Sequence, residues 1–188
     1  MRLAILSGLT LAMLVASDDA ADAKYQELVK RAKSGDLAID CKDLRMACAE
    51  AGNCDARGNS KEMLAMRRAF QDKQFSDAAK EAEGLIDKGF ANIEAHAICA
   101  RAYESLGKTE EAAPHDAIAK GLIRSILDSG DGKTKATAFV VIGTHEEYLI
   151  VTVHGLPRPG SQALVAGKPH SYDLLTVTNP KSGQKLEL

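Results

Sequence analysis

Tryptophan is absent from this 188-residue chain, and aromatic residues of all kinds make up only 4% of it. So thin a complement excludes a base-stacking surface for single-stranded nucleic acid or a sugar-stacking platform, both of which are built on rings. Charge of one sign is not in excess either, with 24 basic against 26 acidic residues. Without a Lys/Arg cluster the chain lacks the attraction behind most non-specific nucleic-acid binding and any steering toward anionic lipid headgroups, so neither partner is expected. No apolar run reaches the roughly 20 residues a membrane-spanning helix needs. Zinc and redox spacings of the C-x-x-C kind are missing, as is a Ser in a G-x-S-x-G elbow. No cofactor or metal is implied.

What is present begins with the leader. Met1-Arg2, an apolar run from Leu3 to Ala16 and a small-residue stretch closing on Ala21-Asp22-Ala23 have the order of a secretory signal peptide. Residues 1–23 are therefore expected to be removed on export to a periplasmic or secreted location, with no stable membrane insertion afterwards. The alternative is an uncleaved start to the first helix. Removal would delete Arg2 with Asp18, Asp19 and Asp22, leaving 23 basic and 23 acidic residues. The remainder, 45% hydrophobic and 27% charged over the whole chain, has a globular composition.

Tyr25, Leu28, Val29 and Ala32 share one helical face, and Ser34-Gly35-Asp36 stops that helix. Asp40 is placed to cap a second helix that carries Leu44, Ala47 and Cys48 inward and ends at Gly52-Asn53. Of the four cysteines, Cys41 and Cys48 lie two helical turns apart, too far for a bridge. Cys48 and Cys54 can meet across the helix end. In an oxidising compartment that pair is a candidate disulfide. The alternative, that all four are small buried hydrophobes, stands beside it.

Asn59-x-x-Glu62 is a capping arrangement opening a helix through Phe70. A second helix starts at Phe75-Ser76, Asn92 caps a third over Ile93 to Leu106, and Thr109 opens a fourth reaching Leu127. A slide of 34 residues superposes Lys73 on Gly107, Phe75 on Thr109 and Ala78 on Ala112, and 34 is the tetratricopeptide period. Pro114, inside the fourth helix, predicts a kink or a late start.

After Ser129-Gly130-Asp131-Gly132 the helical rhythm gives way to β-rich runs. Ala138–Ile142 reads as a central strand, Tyr148–His154 as an alternating one, and Gln162–Val165 as a short one. Tyr172–Thr178 reads as a further strand, turned at Asn179-Pro180-Lys181-Ser182-Gly183 into a returning strand from Lys185. The fold class is α+β: N-terminal helices over 24–58, two tetratricopeptide-like hairpins over 59–130 and a small antiparallel β segment over 131–188.

Gly132-Lys133-Thr134 is no phosphate loop, because Leu127 stands where that motif needs glycine. His96 and His115 lack a ligand-spaced companion and read as structural or surface residues. Glu146, Glu147, His170 and Asp173 are a candidate acid/base or metal cluster if their segments pair, against the plainer reading of solvated strand ends.

Tyr25–Asp40 (YQELVKRAKSGDLAID), Arg57-Gly58-Asn59, Gly121-Leu122-Ile123 to Gly130-Asp131-Gly132, Ala138-Phe139-Val140-Val141, Glu146-Glu147-Tyr148 and Ser171-Tyr172-Asp173 form a set. In that set the chain resembles the exported bacterial family known as domain of unknown function 4919. The resemblance implies an exported protein and assigns no catalytic residue. The functional expectation is a non-catalytic module of the cell envelope that binds another exported protein or a peptide. The alternative is a hydrolase or metal-dependent enzyme using Glu146, Glu147, His170 and Asp173.

Overall fold

The computed structural model describes residues 9–54, 60–166, 172–178 and 182–187. The chain divides into two compact units between Leu122 and Ile123.

In the first unit α1 (Leu9–Lys33) is one helix running through Ala21-Asp22-Ala23. Its described side chains from Ala20 to Lys24 are exposed or half-buried, and Tyr25 is the first to enter the core. The Phe90 N–H donates to the Tyr25 hydroxyl at 2.8 Å, so a buried backbone donor is satisfied from the far end of the chain. Gly35, at φ 92°, ends the helix in the left-handed region that glycine enters without steric cost. Asp40 caps α2 (Cys41–Glu50), accepting from the N–H groups of Lys42 and Asp43 at 2.8 and 3.0 Å. A disulfide joins Cys48 and Cys54, while Cys41 and Cys99 are free thiols.

α3 (Lys61–Gln71) is capped by Ser60, which accepts from the Met63 N–H at 3.2 Å. The cap thus falls one residue later than the expected Asn59, which lies outside the described residues. α4 (Phe75–Lys88) follows, then α5 (Ile93–Ser105), capped by Asn92 on the Ala95 N–H. Thr109 opens α6 (Thr109–Leu127) five residues before Pro114, so the proline does not delay the helix.

The 34-residue offset is written into the backbone. Lys73 (φ 58°) and Gly107 (φ 74°) hold the same left-handed position in the turns before α4 and α6. The Gln74 N–H donates to the Ala69 carbonyl, and the Lys108 N–H, 34 residues on, donates to that of Tyr103. Ala78 and Ala112, also 34 apart, are both buried. Ala78, Ala82, Ala95 and Ala102 are among the fully covered residues of α4 and α5, and such small side chains let two helix axes approach closely. Arg67 of α3 grips both carboxylate oxygens of Glu94 on α5 at 2.6 Å, a bidentate clasp between helices. Gly121 of α6 lies against Cys41: a Cβ built there would stand 2.5 Å from the sulfur.

The second unit corrects two expectations. Ala138–Ile142 is not a strand. The Val140 N–H is taken by the Ser129 hydroxyl at 2.8 Å and the Ile142 N–H by the Glu146 carboxylate at 2.9 Å, so two donors of the segment go to side chains and not to a neighbouring strand. Upstream, the Thr137 carbonyl accepts from Asp131 and Gly132, and Thr134 caps the single 3-10 turn Lys135–Thr137. Tyr148–His154 is not a strand either, but lies mostly within α7 (Thr144–Val153). Its apolar run fits both periods; burial selects Glu146, Glu147, Ile150 and Val151, two pairs four residues apart that share one side of a helix. What decides is the end: Gly155 (φ 66°) donates to Thr152 and Leu156 to Val151, the paired bonds of a glycine-terminated helix.

The sheet is antiparallel, β1 (Ser161–Val165), β2 (Tyr172–Thr178) and β3 (Lys185–Glu187) in that order, with β2 central. Ser161 pairs with Thr176 and Val165 with Tyr172, while Thr178 pairs with Lys185. Leu175 and Val177, alternate residues of β2, pack with Val151 of α7 and with Leu156 as the core of this unit. The chain is therefore α+β, with its helices first and its small antiparallel sheet last; most of the expected turn over 179–183 lies outside the described residues.

Candidate functional site

The acidic group singled out in the sequence is only partly assembled. Glu146 is fully buried, but its carboxylate reaches back to the Ile142 N–H and so serves the start of α7. His170 lies outside the described residues. Glu147 and Asp173 do meet: burial, followed by hydrogen bonding and charge repulsion from Asp173, raises the Glu147 carboxyl from 4.5 to about 7. Gln162 of β1 donates to Glu147 Oε2 at 2.9 Å and accepts from the Tyr148 hydroxyl at 3.2 Å. The result is a pair of carboxyls, one holding a proton near neutrality. Among the described residues no group of three or more His, Cys, Asp or Glu side chains could hold a metal ion.

A second constellation in the first unit went unread. A cleft of about 370 Å³ is framed by Ala32 and Lys33 of α1, Glu83, Ile86 and Asp87 of α4, Phe90, His96 of α5, and Pro114, His115 and Ile118 of α6. That volume lies at the small end of the range for ligand clefts. At its base the Phe90 carbonyl, which can only accept, sits 2.8 Å from His96 Nε2 and so fixes the proton on that nitrogen. The bare Nδ1 of His96 must then accept from His115 Nδ1–H, 3.0 Å away. Burial, reinforced by His115, pushes His96 down to about 3, so its ring is neutral at ordinary pH. Burial also lowers His115, with Glu83 opposing.

Tyr103 stacks on His115 at 6.2 Å between centroids, and its hydroxyl donates a hydrogen bond to Glu83 Oε1. That bond, followed by burial, raises the Tyr103 phenol. Lys33 and Asp87 pair at 2.9 Å on the rim. No sequence spacing announces this site, because His96 and His115 are 19 residues apart on successive helices and meet only once the helices pair. The legible signal was weaker: a histidine on the inward face of α5, with buried Ala95 and Cys99 beside it.

Fold and cleft together define an α+β chain whose helical part frames a ligand-sized recess with a fixed imidazole pair at its base. By sequence the chain belongs to the family described as Domain of unknown function (DUF4919), whose model matches residues 15–186. No curated protein and no solved structure matches it.

Proposed function

We propose that the chain is an exported, non-catalytic binding module of the cell envelope that holds a peptide or a segment of another exported protein in the cleft between α1, α4, α5 and α6. The observation behind this reading is the make-up of that cleft: apolar walls from Ala32, Ile86, Phe90 and Ile118 with a few fixed polar groups, and no Ser, Thr or Cys among its lining residues. Export is supported by the leader pattern and by Tyr25 being the first buried side chain among the described ones, just past the expected cleavage point.

The test is capture from an envelope extract on immobilised mature chain, beside a column carrying Asp87→Trp. Asp87 lines the cleft and its side chain is 72% exposed, so an indole introduced there crowds the mouth from outside the core. A partner retained by the parent chain and lost from the variant is the expected result; equal retention, or none, overturns the reading.

The Glu147–Asp173 pair favours a second reading, acid/base chemistry on a hydrolysable substrate, because a carboxyl raised to about 7 is poised to exchange protons. Hydrolysis of a broad ester and amide panel that disappears in Glu147→Gln would establish it; an inert panel would end it.

A further inference from the structure

We propose that the cleft recognises the side chain of a lysine in the bound peptide, its methylene stem against Ile86, Phe90 and Ile118 and its ammonium between Glu83 and His115. This deepens the binding-module reading and rests on it.

Donors and acceptors in the cleft are unevenly matched. The proton on His96 Nε2 is fixed by the Phe90 carbonyl, which obliges His115 to donate through Nδ1. In a neutral imidazole that leaves Nε2 of His115 as a bare acceptor. It has no partner among the described residues, and no buried side-chain nitrogen or oxygen there goes unsatisfied, so it opens to solvent. Glu83 presents a second acceptor: Tyr103 occupies Oε1, and Oε2 has no hydrogen-bond partner among the described residues. The only ammonium lining the cleft, Lys33, is engaged by Asp87 at 2.9 Å, so the lining carries one net negative charge, at Glu83. Two solvent-facing acceptors with no protein partner and one carboxylate with no cationic partner among the described residues, above an apolar wall, match a group that only donates, carries a positive charge and ends a flexible hydrocarbon stem. Lysine has that chemistry, with three donors on a four-carbon stem. A carboxylate or phosphate would meet Glu83 with like charge, and a plain aliphatic side chain would leave both acceptors dry.

The experiment is an NMR titration of the mature chain with N-acetyl-lysine methylamide and, separately, N-acetyl-norleucine methylamide, which keeps the stem and lacks the charge. Saturable shifts at His96, His115 and Phe90 are expected for the lysine probe, with binding about tenfold weaker for norleucine. Glu83→Gln, which keeps an oxygen for Tyr103, should weaken lysine binding about tenfold without moving the thermal midpoint. Long-range nitrogen–proton spectra should show His115 protonated on Nδ1. Cadaverine binding as tightly as the capped lysine would overturn the peptide assignment. Equal response to lysine and norleucine, or shifts scattered away from the cleft, would overturn the ammonium assignment. A partner retained by the parent chain and lost in Asp87→Trp would still leave the broader reading standing.

Discussion

Two ionisable side chains, one in each unit, respond to acid in opposite directions. His96 is held neutral, at about 3 against an ordinary 6.5, by burial first and by His115 second. Its depressed value means that the unfolded chain takes up a proton the folded one refuses, so the first unit loses stability as pH falls from 6.5 toward 3. Glu147 is raised from 4.5 to about 7, so the folded chain keeps a proton the unfolded one has released. Its contribution is fully present below pH 4.5 and is lost as pH rises through 7, on the order of 2 kcal/mol across that window. Glu147→Gln should therefore raise the urea midpoint at pH 7.5 and leave it nearly unchanged at pH 4.5. A variant whose gain is the same at both pH values would show that Glu147 carries no bound proton.

At the scale of single elements, the two left-handed turns make a matched comparison. Lys73 pays steric strain at φ 58°, which glycine avoids at Gly107. Lys73→Gly is expected to stabilise by about 0.5 to 1 kcal/mol, and Gly107→Ala to destabilise by about 1 kcal/mol, since open space around Gly107 leaves backbone strain as the main cost. Chemical denaturation of the two variants measures both signs. These turns also show what the sequence made legible. Asp40 and Asn92 announce their helices through local side-chain chemistry, and the 34-residue offset appears because it repeats a short-range pattern. α7 was misread because Tyr148-Leu149-Ile150-Val151-Thr152-Val153 satisfies strand and helix periods alike; the discriminating residue, Gly155, lies past its end. Ala138–Ile142 was misread because apolar content says nothing of where backbone donors go, and Ser129 and Glu146 claim two of them. The His96–His115 contact was invisible for a third reason: it depends on the register between two helices, which no local pattern encodes.

For the whole molecule, the leader and the cysteines make a joint prediction. Residues 20–24 contribute no buried side chain, and the long-range hydrogen bond that Asp22 accepts from the Asn53 amide at 2.8 Å is exposed. On the proposal that residues 1–23 are a removable leader, a chain beginning at Lys24 should melt within a few degrees of the full-length one, and N-terminal sequencing of protein recovered from the cell envelope should begin at Lys24. If the compartment is oxidising, alkylation of denatured, unreduced protein labels two thiols, Cys41 and Cys99, and reduction first raises the count to four. Four labels without reduction would place the chain in a reducing compartment and remove the basis for export. Cys54→Ser should cost about 2 kcal/mol in the oxidised protein and nothing in the reduced one.

The pairing of Gly121 with the Cys41 sulfur has a practical outcome for anyone attaching a reporter to this protein. Cys41 is the more accessible of the two free thiols, so a maleimide dye reaches it first. There is no spare room where that sulfur meets the sixth helix, and the dye must wedge the second and sixth helices apart. Labelled material would then be a loosened protein, and a serine at position 41 with a new cysteine on an exposed position such as Lys80 is the safer handle.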